Sequence, residues 1–109
     1  MTNPLVTREH SCLTIRVQGD LLSTNAKEIR AALDDLLSAP EKQSGLRVVF
    51  LDLASATMID SVGLNLIVAI LRATKQAGAT MKISHANPNV HRILLFTRLD
   101  QQVEILKAA

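Results

Sequence analysis

The sequence predicts a single α/β domain, a mixed and mostly parallel sheet with helices packed against it. Three observations lead there. Strand-like and helix-like periodicities alternate along the chain from Leu13 to Leu106, the pattern of strand–helix–strand crossovers. Residues 46–53 (LRVVFLDL) form a near-continuous apolar run rich in β-branched residues, as expected of a central strand covered on both faces. Finally, 109 residues at 48% hydrophobic and 2% aromatic suffice for one aliphatic core of two or three layers. Residues 1–109 are therefore read as one domain.

Each element has its own signal. Leu5, Val6 and Thr7 read as a short edge strand. Leu13, Ile15 and Val17 alternate with Thr14, Arg16 and Gln18, the period of a half-buried strand, and Gly19-Asp20 ends it. Ser23, Thr24 and Asn25 are all competent helix N-caps, and Asn25 with Glu28 has capping-box spacing. Ala26, Ile29, Leu33, Leu36 and Leu37 keep helical spacing until Ala39-Pro40 stops the helix. A polar loop leads to the apolar run at 46–53, and a second loop at 54–59 opens into a helix from Ser61 that Ala77-Gly78 ends. Met81 and Ile83 point inward from a strand over residues 79–84. Asn87-Pro88 starts a third helix, a cap followed by proline at the first helical position, with Val90, Ile93 and Leu94 as its stripe. Residues 103–106 form the last strand, and the chain shows no repeat, linker or low-complexity segment.

Asp60-Ser61-Val62-Gly63-Leu64 carries the most functional information. A hydroxyl there lies in the first turn of a helix, where N–H groups are unpaired and the dipole favours negative charge. Ser61 is thus either an ordinary cap or a site that accepts a phosphate and switches a surface. The helix behind it has two apolar sides: Leu64, Ile67, Val68 and Leu71 face the sheet, while Val62, Leu66, Ala69, Ile70 and Ala73 fall roughly opposite. The second stripe marks a partner surface unless another helix of the domain covers it, and the partner reading is preferred. In the free chain a weak homodimer would hide the same stripe.

A phosphate on Ser61 would add about −1.5 to −2 charges. The helix N-terminus tolerates that charge in the monomer. Against a bound partner it would be buried at an apolar rim beside Asp60, with no Arg or Lys nearby in sequence. Moving a complex from mostly bound to mostly free takes roughly 5.5 kcal/mol, a quantity within reach of desolvating such a group.

Other function classes fit poorly. The net charge is +2 with basic residues scattered singly, and there is no Trp or Tyr to stack on bases, which argues against nucleic acid. No apolar stretch is long enough to span a bilayer and residues 1–9 lack a signal peptide's layout, so a cytoplasmic protein without membrane attachment is expected. Cys12 is the only cysteine, which excludes an internal disulfide, and is read as a small buried apolar residue. His10, His85 and His91 lack ligand spacing, so no metal or cofactor is expected. Ser61 lies in no Gly-x-Ser-x-Gly elbow and no histidine is placed to be its base. A phosphoacceptor receiver using Asp52 at the end of Val48-Val49-Phe50-Leu51 would need an acidic pair on the first strand, which is missing, so Asp52 is read as bonding the loop that follows it.

Residues 52–64 (DLASATMIDSVGL) resemble the signature of STAS domains of the anti-sigma factor antagonist type, in which an Asp-Leu strand end leads through a short loop to Asp-Ser-Ser-Gly-Leu. Gly19-Asp20-Leu21 is similar to the family's Gly-Glu-Leu, residues 75–79 to its helix-to-strand turn, and residues 90–100 to its third helix. The resemblance implies a non-enzymatic protein that binds a serine kinase acting as an anti-sigma factor. The kinase phosphorylates the first serine of the motif, here Ser61, the antagonist dissociates, and a metal-dependent serine phosphatase restores it. Asp60 would then shape the loop and contact the kinase, while Gly63 permits close approach in the first helical turn. Val62, Leu66, Ala69 and Ile70 would form the apolar contact, with Leu22, Ser23 and Thr24 at its edge. Two residues depart from the family pattern: Val62 stands in place of the second serine, and Leu22 where an acidic residue is frequent. With Ala109 soon after the last strand, the family's C-terminal helix is expected to be short or absent. The alternative function is a constitutive protein-binding module in which Ser61 is only a cap.

Overall fold

A computed structural model describes residues 5–37 and 45–107. Among them, strands β1 (Leu5–Glu9), β2 (Cys12–Arg16), β3 (Val48–Asp52), β4 (Thr80–Ala86) and β5 (Glu104–Lys107) interleave with helices α1 (Ser23–Leu37), α2 (Ser61–Gln76) and α3 (Pro88–Phe96). A short 3-10 turn, Leu99–Gln101, which the sequence pattern did not reveal, precedes β5. The strands lie in chain order, β1-β2-β3-β4-β5. The β1–β2 hairpin is antiparallel and the other three pairings are parallel, so the expected mixed, mostly parallel sheet is present.

Strand order decides where the helices go. Three successive parallel crossovers each step to the next strand in the same direction, and crossovers of this kind are right-handed. All three helices therefore fall on one face of the sheet. The buried residues agree. Leu13, Ile15 and Val17 of the β2 segment, Val49, Leu51 and Leu53 around β3, and Met81 and Ile83 of β4 form one cluster with Ile29, Leu33, Ile67, Leu71, Val90 and Leu94 from the helices. Full burial of each such aliphatic side chain contributes about 1.5–3 kcal/mol.

The opposite face carries no part of this core among the described residues. Thr14, Phe50, Lys82 and Glu104 line up across it in register, with Phe50 half-buried and Glu104 exposed. The expectation that residues 46–53 are covered on both faces is thereby corrected. Val48 and Phe50 are only half-buried, and the three described helices lie on the other face. An unbroken apolar run does not distinguish a strand covered on both faces from one covered on a single face. Cys12, expected to be buried, also sits on this face and is half-buried.

Helix α2 starts at Asp60, whose side chain accepts from the Gly63 N–H. It buries Gly63, Leu66, Ile67, Ile70, Leu71 and Thr74, a stripe at helical spacing. The Thr74 hydroxyl is satisfied by donating to the Ile70 carbonyl at 2.7 Å. Gly78, at φ +76, accepts the left-handed turn after the helix. Helix α3 begins as expected: the Asn87 side chain accepts from the N–H groups of Asn89 and Val90, with Pro88 at the first helical position. In α1 the capping differs from the sequence reading. Asn25 lies inside the helix, and its Oδ1 accepts from the Leu22 N–H at 2.9 Å, reaching back as the third residue of a capping box does. The predicted stop at Ala39-Pro40 lies outside the described residues.

Candidate functional site

Parallel crossovers bring the loops after β2 and β3 to the same edge of the sheet, and these two loops are joined at several points. Leu21 and Ile59 form an isolated parallel bridge. Around it the Leu21 N–H donates to the Met58 carbonyl at 3.1 Å and the Asp60 N–H to the Leu21 carbonyl at 3.3 Å. Asp20 closes one side: its Oδ1 accepts from the Thr57 N–H at 2.8 Å, the Thr57 hydroxyl at 2.9 Å and the Met58 N–H at 3.1 Å.

Asp60 closes the other side and serves two helices at once. Its Oδ1 accepts from the Gly63 N–H at 2.9 Å, capping α2, and its Oδ2 accepts from the Ser23 N–H at 2.8 Å, at the first residue of α1. One carboxylate thus satisfies unpaired donors at two helix N-termini. The arrangement needs a close approach, and Gly63 provides it. A Cβ there would collide with the carbonyl oxygen of Leu21.

Ser61 is the residue after the cap, and its side chain is left over. It is exposed, and its hydroxyl makes no hydrogen bond to the described residues. Capping is performed by Asp60, so Ser61 is not the ordinary cap that the sequence allowed. Two exposed apolar residues stand close to it in the chain, Met58 at 60% and Val62 at 42%. Through the Asp60–Ser23 bond the start of α1 comes alongside, with Ser23 and Thr24 exposed and Leu22 half-buried.

The rest of the expected contact surface is rearranged. Leu66 and Ile70 are 3% and 2% exposed. They were expected on an open stripe, and are instead buried where α1 packs beside α2 on the same face of the sheet. Another helix of the domain covers them, an arrangement that three same-side crossovers enforce. Ala69 remains half-buried at the outer surface.

Both loop carboxylates are held ionised. Asp20 lies below its ordinary value of 3.8, chiefly because the Thr57 N–H and hydroxyl donate to it. Asp60 is lowered in the same way, first by the Gly63 N–H and then by the Ser23 N–H. A carboxyl with a depressed folded value takes up its proton more readily when unfolded. Its stabilising contribution is therefore complete above 3.8 and is lost as pH falls through the depressed value. The urea midpoint is expected to fall on acidification below about pH 4, and Asp20→Asn should flatten that decline.

Asp52 behaves as a loop anchor. Its Oδ1 accepts from the Ala54 N–H at 2.9 Å, and its Oδ2 pairs with Arg16 Nε at 3.1 Å. Among the described residues no three His, Cys, Asp or Glu side chains gather to hold a metal, and no helix is long and apolar enough to cross a membrane. In the sequence Asp20 reads as a turn residue and as part of the Gly19-Asp20-Leu21 resemblance, with nothing to pair it with Thr57 or Met58. Asp20 meets its partners 37 and 38 residues away, beyond any local pattern. Met58, an exposed apolar residue two positions before the Asp60 cap, was visible in the motif itself.

Solved structures share this fold. A Thermotoga maritima protein described as a candidate anti-sigma factor antagonist matches at 24% identity and TM-score 0.84, over 96% of this chain and 86% of that one. The anti-sigma factor antagonist SpoIIAA of Bacillus, known in unphosphorylated and phosphorylated forms, matches at 15% identity and TM-score 0.72 in the former, over 97% and 89% of the two chains. A sulfate transporter family protein from Wolinella succinogenes matches at 11% identity and TM-score 0.76, over 94% and 81%. The STAS domain model matches residues 3–108, and the chain belongs to the STAS domain family.

Proposed function

We propose that this STAS domain is a phospho-regulated antagonist of an anti-sigma factor, working in the cytoplasm of a bacterial cell. Unphosphorylated, it binds a serine kinase that doubles as the anti-sigma factor. Phosphorylation of Ser61 from ATP releases it, and a serine phosphatase restores it. It acts by occupying its partner rather than by catalysing a reaction.

One observation carries the reading: the Ser61 hydroxyl is exposed, with the exposed apolar residues Met58 and Val62 close to it in the chain, and is not used to cap its own helix. A kinase can reach it, and a phosphate there does not remove a native hydrogen bond. The N-terminus of α2 favours the new charge, so the free protein keeps its fold. The apolar rim of Met58 and Val62 is where a bound partner would exclude water, and there a charge of about −1.5 to −2 is costly. Phosphorylation therefore separates the partners without unfolding either. Likeness to SpoIIAA, a protein known in both phosphorylation states, supports the same reading.

Contact residues on this reading are Asp60 and Val62 at the start of α2, Leu22, Ser23 and Thr24 at the start of α1, and Ala69 further along, while Gly63, buried against Leu21, serves the site by letting the two loops approach. The fold is also that of a sulfate transporter family protein, so a constitutive binding module is the second reading. The two separate on a column carrying the purified chain with its kinase bound. Mg-ATP is expected to elute the kinase from the wild-type chain and not from Ser61→Ala, whereas elution from both, or from neither, favours the constitutive module.

A further inference from the structure

Beside the Ser61 rim, α1 and α2 leave a groove between their outer faces. Its volume is about 430 Å³, and a smaller hollow of about 200 Å³ continues it toward Val62, the two sharing Arg30, Asn65 and Leu66. The groove follows α2 from Val62 to Gln76, roughly 20 Å at helical rise, the length of a helix of about 14 residues. Leu33, Leu66 and Ile70 close its base but are almost fully buried, so the apolar groups a partner can reach are Val62, Val68, Ala69 and Ala73 along α2.

The charge along this groove is one-sided. Lys27 lines the end nearer Ser61, and Arg30 and Arg72 line the main part, with Asp34 the one carboxylate among the described lining residues. Arg30 and Asp34 approach at 3.7 Å with both side chains more than half exposed, a pair of little energetic weight. Lys27 and Arg72 make no ion pair among the described residues. An apolar strip of α2 bordered by cationic side chains matches an amphipathic helix whose apolar stripe is bordered by Asp and Glu.

We propose that the groove seats such an acidic amphipathic helix of the kinase partner, with its carboxylates paired to Lys27, Arg30 and Arg72. This inference rests on the reading of Ser61 and adds the chemistry of the partner. The groove opens beside Val62, the neighbour of Ser61, so one partner covers both surfaces. A phosphate on Ser61 then does more than wet an apolar rim. It adds negative charge at the end of the groove that Val62 and Lys27 line, where it opposes the carboxylates of the acidic helix.

The probe is a fluorescein-labelled 14-residue helical peptide with Leu at positions i, i+4, i+7 and i+11 and Glu on the flanks, alongside its Lys-flanked counterpart. With the full chain, the Glu peptide is expected to bind and to shift the amide resonances of Ala69, Arg72 and Ala73, while the Lys peptide does neither. Arg30→Glu with Arg72→Glu is expected to weaken Glu-peptide binding at least tenfold with an unchanged Tm, because both positions are exposed. Ser61→Asp is expected to weaken it several-fold. Equal binding of both peptides, or no effect of the charge reversals, overturns the proposal. So does a dimer in sedimentation that Arg72→Glu dissolves, because the occupant is then a second copy. Loss of the groove result with phosphate still found on Ser61 overturns only the groove. Glu-peptide binding as expected with Ser61 never phosphorylated leaves the acidic-helix groove standing and overturns the switch.

Discussion

Ser61→Asp is expected to lower affinity for the kinase partner at least 100-fold, while Ser61→Ala stays within about threefold of the wild type; a 100-fold change corresponds to about 2.7 kcal/mol. Aspartate brings one charge where a phosphate brings nearly two, so it understates the natural modification. The charge lands between Met58 and Val62, where contact with a partner would strip its water. Folding does not confound the result. Asp60 already caps α2, so alanine at 61 loses less than the ~1 kcal/mol of a true cap deletion. Aspartate in the first helical turn is favourable by about 0.3–1 kcal/mol. Titration calorimetry with the purified kinase, together with a Tm for each variant, separates release from unfolding. Equal affinity of the two variants would establish the constitutive module instead.

Gly63→Ala is expected to destabilise the chain by about 2–3 kcal/mol, as overpacking against an immovable neighbour does. That corresponds to a fall in Tm of roughly 10–20 °C for a domain of this size. The added methyl would meet the carbonyl oxygen of Leu21, a backbone atom that also accepts the Asp60 N–H. It cannot swing aside as a side chain would. Relief requires α2 to back away from the loop after β2, breaking the Leu21–Ile59 bridge and drawing Asp60 off the Ser23 N–H. The variant should thus lose partner affinity as well as stability, read from urea melts and from the same calorimetry. A Gly63→Ala chain as stable as the wild type would mean that the two loops are not held together as described.

What the sequence made legible was whatever rests on local periodicity. The alternation of Leu13, Ile15 and Val17, the run at 46–53 and the Asn87-Pro88 cap each placed an element within a few residues of where it lies. The consecutive strand order, and with it the single-sided arrangement of helices, is a property of the whole chain. For that reason Leu66 and Ile70 read as an open stripe although α1 covers them. The 60–64 motif gave Ser61, Asp60 and Gly63, but assigned the cap ambiguously. Only the register of two loops 37 residues apart shows that Asp60 bonds Ser23 and that Asp20 holds Thr57. Such pairings leave no trace in local spacing, since neither partner is near the other along the chain.

The most direct measurement is phosphopeptide mass spectrometry of the protein isolated from its native cells, with a Ser61→Ala strain alongside. Phosphate on the peptide carrying Ser61, absent from the mutant and varying with growth or stress, is the expected result. Ser61 unmodified under every condition in which the kinase is present would contradict the switch.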